Sequence, residues 1–192
     1  FSSKLMEGGA LNSQISQFDE QMKNKAASDM CKGLQELHQN GVIHRDIKVD
    51  NFLVDSNGNV KIADMGKAFL EAEGAHNTAT FAPARPPGLT YIEEWDRKAD
   101  VYQLGVALFQ LYSGMDNVHN LRAIMAPNLT PEERKDPAKF YAARNEGAMQ
   151  GNWLGMNNIV PVEKKDFILK MLNNDPALRP DIDEVVKFFS NE

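Results

Sequence analysis

The sequence predicts a mainly α-helical domain with a small β-hairpin near its front, and three stretches carry that reading. In residues 21–39, Met22, Ala26, Met30, Leu34 and Leu37 recur three or four positions apart, so one apolar stripe faces a core. In residues 96–112, Val101, Leu104, Val106, Leu108, Phe109 and Leu111 leave little polar face, the pattern of a helix buried all round. Between these, Phe52-Leu53-Val54 and Val60-Lys61-Ile62 flank Asp55-Ser56-Asn57-Gly58-Asn59, which reads as two strands joined by a turn with Asn57-Gly58 at its tip.

The remaining elements follow in chain order. Residues 1–6 read as the end of a strand that Glu7-Gly8-Gly9 breaks. The first helix stops at Asn40-Gly41, where glycine is free to take the left-handed conformation. Residues 69–91 show little periodicity and hold Pro83, Pro86 and Pro87, so they read as a long ordered or switchable loop. Thr130-Pro131-Glu132-Glu133 combines an N-cap, a first-turn proline and a capping-box Glu. Residues 167–172 form another amphipathic piece, and Asp181-Ile182-Asp183-Glu184 opens a last helix carrying Val185, Val186 and Phe189. Residues 115–160 match no motif and read as an insertion. With no repeat, low-complexity tract or linker, residues 1–192 are expected to be a single domain.

Composition narrows the function classes. Hydrophobic residues at 42% and charged residues at 25% are ordinary for a soluble globular chain and exclude disorder as a description of the whole. A net charge of −6 supplies no broad basic field, so neither nucleic acid nor an anionic membrane is an expected partner. No apolar run approaches the ~20 residues of a membrane span. Cys31, the one cysteine, cannot form an intramolecular disulfide, which points to a reducing, cytoplasmic setting. The chain opens on Phe1 rather than Met and is expected to be a fragment of a longer polypeptide.

The chemistry concentrates in His44-Arg45-Asp46-Ile47-Lys48-Val49-Asp50-Asn51, on a loop between the first helix and the hairpin, and in Asp64-Met65-Gly66 just after the hairpin. The first segment resembles the H-R-D-x-x-x-x-N catalytic loop of eukaryotic-type Ser/Thr protein kinases, and the second their D-F-G, with Met65 in place of Phe. The resemblance implies that Asp46 orients a substrate hydroxyl and accepts its proton, and that Lys48 stabilises the transferred phosphate. It also implies that Asn51 and Asp64 hold Mg²⁺ through hard oxygen donors. Lys48, two places after the Asp, resembles the Ser/Thr rather than the Tyr branch. Asp100-Val101-Tyr102-Gln103-Leu104-Gly105 resembles the D-x-W-S-x-G opening the buried helix, whose Asp holds the catalytic loop. Asp175-Pro176-Ala177-Leu178-Arg179-Pro180 resembles the D-P-x-x-R-P near the end of the domain.

The resemblance covers the whole chain but only the C-terminal lobe of the kinase fold. It implies a hinge at about residues 1–11, with Ser3 as gatekeeper and the backbone of Lys4 and Met6 facing the adenine of ATP. Leu53 would close the adenine pocket from below, and is equally read as hairpin core. No G-x-G-x-x-G, strand Lys or partner Glu is found, so the N-terminal lobe is expected upstream in the same polypeptide. The implied partners are ATP and a protein substrate, and the chain alone is expected to be inactive. The Glu of the family's A-P-E is absent: Ala84 or Gly88 stands there, depending on register. Arg179, its usual partner, is expected to turn to Glu93, Glu94 or a cluster of backbone carbonyls. Thr78 and Thr80 are either acceptors of a phosphate that binds Arg45 or plain loop threonines. His38, His76 and His119 share no ligand spacing and read as structural or surface residues, and Cys31 as a packed thiol. Two other readings compete with an active protein kinase: a pseudokinase or scaffold lobe acting by protein binding, and a small-molecule kinase of similar fold.

Overall fold

A computed structural model describes residues 9–73, 85–86, 89, 95–114, 125–136, 138–140, 142–143 and 160–190. Among these, four α-helices of two turns or more pack around two small antiparallel sheets. Helix α1 (Glu20–Gln39) starts where the Asp19 carboxylate accepts the Met22 N–H at 2.8 Å, and it buries Ala26, Ala27, Met30, Cys31, Leu34 and His38. Gly41 follows at φ 67°, the left-handed stop its position predicts.

Helix α2 (Arg97–Ser113) is capped by Asp96 and ended by Gly114 at φ 69°. Every residue from Ala99 to Tyr112 is buried, so this helix is the axis of the core. Helix α3 (Val162–Met171) starts five residues before the stretch that sequence periodicity marks, because Val162 is the one apolar residue before Phe167 and sets no period. It crosses α2 at Gly105, where an added Cβ would lie 3.0 Å from Met171 Cβ and 3.1 Å from Leu172 Cδ2. Helix α4 (Ile182–Ser190) packs on α1 through Val185 and Phe189. The Thr130–Glu133 capping box forms, with Thr130 Oγ1 donating to Glu133 Oε2 at 2.9 Å, but it opens only a single tight turn, Glu133–Lys135.

The hairpin is present as β3 (Phe52–Val54) and β4 (Val60–Ile62), with Gly58 in the turn at φ 72°. Phe52 and Val54 enter the core while Leu53 lies half-exposed on the other face, so the hairpin-core role belongs to its neighbours. The sheets exceed expectation in two places. Gly9 does not merely break a strand: Gly9–Ala10 form β1, which pairs with Val54 and Leu53. The stretch expected to be a loop from residue 69 begins instead with β5 (Phe69–Leu70), which pairs with β2 (Val42–Ile43). That pairing returns the chain after Asp64-Met65-Gly66 to the start of the 44–51 loop. Residues 1–8, Thr78, Thr80, Glu93, Glu94, Ala84, Gly88, His76 and His119 lie outside the described residues. No helix among the described residues is long and apolar enough to cross a membrane.

Candidate active site

The loop of residues 44–48 is held from beneath by α2. Asp100, in the first turn of that helix and fully buried, is a doubly used acceptor. Its Oδ2 takes the His44 N–H at 2.8 Å and faces His38 Nε2 at 3.1 Å. Its Oδ1 takes the Arg45 N–H at 2.8 Å and the Trp95 indole N–H at 3.1 Å. A buried carboxylate is costly unless it is met by such donors. One turn on, Gln103 Oε1 accepts the Ile47 N–H at 2.9 Å. These bonds hold Arg45 at φ 68°, a conformation that costs a non-glycine residue on the order of 1–3 kcal/mol. Its guanidinium is buried, 5.3 Å over the Phe69 ring of β5.

Asp46 stands at the head of this loop with only 3% of its surface exposed. Three nitrogens converge on its Oδ2: Lys67 Nζ at 3.0 Å, Lys48 Nζ at 3.2 Å and Asn51 Nδ2 at 3.2 Å. Asn51 Nδ2 also donates to the Asp46 carbonyl at 2.8 Å, closing the loop on itself. Burial pushes the Asp46 carboxyl up, but the hydrogen bonds and charges of Lys67 and Lys48 outweigh it and hold the group below its ordinary value.

Beneath the carboxylate, the Asp46 N–H donates to His44 Nδ1 at 3.3 Å, and His44 Nε2 donates to the Ala63 carbonyl at 3.3 Å. That pattern needs the neutral ring with its proton on Nε2. The Ala63 N–H in turn donates to the Asn51 carbonyl at 2.8 Å. The end of β4 is thereby stitched to the loop, and Asp64 follows immediately. Asp64 sits at φ 57°, exposed, with Oδ1 accepting the Gly66 N–H at 3.2 Å. A short-side-chained Asp tolerates this left-handed conformation better than most residues.

The structure therefore brings Asp46, Lys48 and Asn51 into direct contact and sets Asp64 one residue beyond the Ala63 link. Leu53 lies on the half-exposed face of β3, while Lys4 and Met6 lie outside the described residues. Sequence reasoning missed Lys67, Gln103, Trp95 and the role of His38. The signal for Lys67 was a cation directly after Asp64-Met65-Gly66, on the turn that β5 closes. Arg179, 4% exposed, meets the carbonyl alternative. Its Nε donates to Asn173 O at 2.8 Å, Nη1 to Lys98 O at 3.0 Å and Nη2 to Asn174 O at 3.3 Å, above the Tyr102 ring. Cys31 is a buried free thiol, pushed up by burial and therefore unreactive.

Comparison with known proteins supplies the family. The family model described as "Protein kinase domain" matches residues 1–188, and the chain belongs to that family. It is 42% identical over 92 residues to the serine/threonine-protein kinase STY46 of Arabidopsis thaliana, covering 47% of this chain and 16% of that protein. It is 35% identical over 142 residues to the serine/threonine-protein kinase CLA4 of Candida albicans, covering 68% of this chain and 15% of that protein. With the serine/threonine-protein kinase MST20 of Pyricularia oryzae it shares 31% identity over 196 residues, 96% of this chain and 19% of that protein. The chain thus spans between 15% and 19% of the length of these relatives.

Proposed function

We propose that residues 1–192 are the C-terminal lobe of a Ser/Thr protein kinase that transfers the γ-phosphate of Mg-ATP to protein hydroxyl groups. The upstream part of the same polypeptide supplies the N-terminal lobe, and residues 1–11 are the hinge. The observation that carries this reading is Asp46, a buried carboxylate with Oδ2 filled by three donors and Oδ1 taken by none of the described residues. Asp46 orients the acceptor hydroxyl through Oδ1. The hydroxyl oxygen bonds to the γ-phosphorus, and the bond from phosphorus to the bridging oxygen breaks with its electron pair on ADP. The hydroxyl proton passes to Asp46.

Lys48, half-exposed at the mouth of the loop, meets the charge of the moving phosphate. Asn51 spends its amide nitrogen on Asp46, which leaves its Oδ1 for a cation, and Asp64 turns an exposed carboxylate out of the same loop system. Two hard oxygens completed by water and phosphate suit Mg²⁺. When bound, the ion neutralises charge on the phosphates. Lys4 and Met6, by their backbone, and Leu53, from the half-exposed face of β3, bound the adenine. Cys31, kept as a buried free thiol, fits a cytoplasmic setting, and the net charge of −6 gives no attraction to nucleic acid or anionic membrane.

One observation favours the competing scaffold reading. Arg179, which in the family ties down the activation segment, is here satisfied by carbonyls of residues 98, 173 and 174. Incubation of the full-length polypeptide with Mg-[γ-³²P]ATP and dephosphorylated casein separates the two. Label on Ser or Thr, lost on chelation of Mg²⁺ and absent with residues 1–192 alone, is the expected result. No transfer from a folded, ATP-binding full-length protein would overturn the protein-kinase reading.

A further inference from the structure

Two cations meet one carboxylate oxygen in this site, and the motif reading employs only one of them. Lys67 Nζ is 3.0 Å from Asp46 Oδ2, closer than Lys48 Nζ at 3.2 Å. Lys67 is anchored on both sides. Upstream, the Ala63 N–H is tied to the Asn51 carbonyl at 2.8 Å. Between them a turn closes as the Ala68 N–H donates to Met65 O at 3.0 Å, and downstream Phe69 pairs with Ile43, next to His44. The ammonium is thus delivered to Asp46 by a segment fastened to both ends of the same loop, whereas Lys48 reaches it from the loop itself.

We propose that Lys67 is a positioning residue for Asp46: with Asn51 it pins Oδ2 and leaves Oδ1 turned to the acceptor hydroxyl while Lys48 is drawn to the phosphate, a role that rests on the phosphotransfer reading above. The division of labour follows from charge. A lysine ammonium is a compact point charge, and a doubly or triply charged phosphate competes for Lys48 more strongly than a carboxylate does. With Lys48 withdrawn, Asn51 alone would hold Oδ2, and a neutral amide holds a carboxylate oxygen more weakly than an ammonium does. Lys67 supplies that charge from a position the phosphate does not claim. The charged and titratable groups around Asp46 are Lys48 and Lys67 on its carboxylate, His44 beneath its amide, and Arg45 and Asp100 behind the loop.

The test uses the full-length polypeptide with Lys67→Met and Lys67→Arg. Lys67 is one-third exposed on a turn, so neither change opens the core. The first readout is the Lys67 ammonium itself, followed at fixed pH by NMR of ¹⁵Nζ-lysine protein and assigned by the signal missing in Lys67→Arg. Asp46→Asn is expected to shift that signal and to speed the exchange of its protons. The second is casein phosphorylation. In Lys67→Met, kcat is expected to fall about tenfold with KM for ATP unchanged, and Lys67→Arg to restore it. A Lys67 signal unmoved by Asp46→Asn overturns the proposal whatever the kinetics, as does an unchanged kcat for Lys67→Met in an active enzyme. A moved signal in a polypeptide whose wild type phosphorylates nothing supports the hold of Lys67 on Asp46 and retires the kinase reading instead.

Discussion

Asp100 Oδ1 lies 2.8 Å from the backbone nitrogen of Arg45, and that bond helps to keep Arg45 in a left-handed conformation. The His44 N–H on Oδ2, also at 2.8 Å, fixes the residue before it. Asp100→Asn keeps the volume but turns an NH₂ toward donors, leaving at least one buried N–H unmet. The expected loss is about 3 kcal/mol of unfolding free energy, read from urea denaturation. A stability unchanged within experimental error would mean that the loop holds its own shape.

Arg179 fastens the base of the domain in a comparable way. Its three carbonyl bonds need a planar fork, which a lysine cannot reproduce. Arg179→Lys is expected to cost about 2 kcal/mol in denaturant unfolding. With Arg179 in place, restoring the family's Glu by Ala84→Glu or Gly88→Glu should add no stability, since Arg179 is already satisfied.

Gly105 reports on packing alone. The α2–α3 crossing leaves 3.0 Å between an alanine methyl at this position and Met171 Cβ, a backbone-anchored atom that cannot swing away. Gly105→Ala is expected to lower the thermal midpoint despite alanine's better helix propensity, by about 1–3 kcal/mol of strain. A raised midpoint would show that the two helices part freely.

The acid dependence has a definite sign. Asp46 lies below its ordinary value in the folded chain, so the unfolded chain binds that proton more readily. The stabilisation is complete above the ordinary aspartate value, roughly pH 3.9, and is lost as pH falls through the lower folded value. Urea midpoints measured between pH 6 and pH 3 should therefore fall less steeply in a Lys48→Met, Lys67→Met double variant than in wild type. Parallel curves would remove the two lysines from the balance.

What could be read from sequence follows from how each feature arises. Helices α1 and α2 and the β3–β4 hairpin write themselves locally, as a stripe whose first member Met22 stays exposed, a nearly unbroken apolar run and an Asn57-Gly58 turn. Strands β1 and β5 are two residues each and exist only through partners far along the chain, Gly9 with Val54 and Phe69 with Ile43, which no local pattern carries. The site divides in the same way. Asp46, Lys48 and Asn51 meet within one loop, so their spacing announces them. Lys67 reaches Asp46 from a turn held between the Ala63–Asn51 bond and the pairing of β5 with β2, which its place in the sequence does not announce. His38 meets Asp100, and Gln103 meets the loop, across helix surfaces, where a polar residue in an apolar stripe looks like an ordinary interruption.

The measurement that bears most directly on phosphotransfer through Asp46 is the turnover of Asp46→Asn in the full-length polypeptide, beside its unfolding curve. Lys48 and Lys67 are each one-third exposed or more, so both stay solvated when the carboxylate is removed. The expected result is a folded, ATP-binding protein whose kcat for casein phosphorylation has fallen about a thousandfold. A variant that retains the wild-type rate would contradict the role given to Asp46.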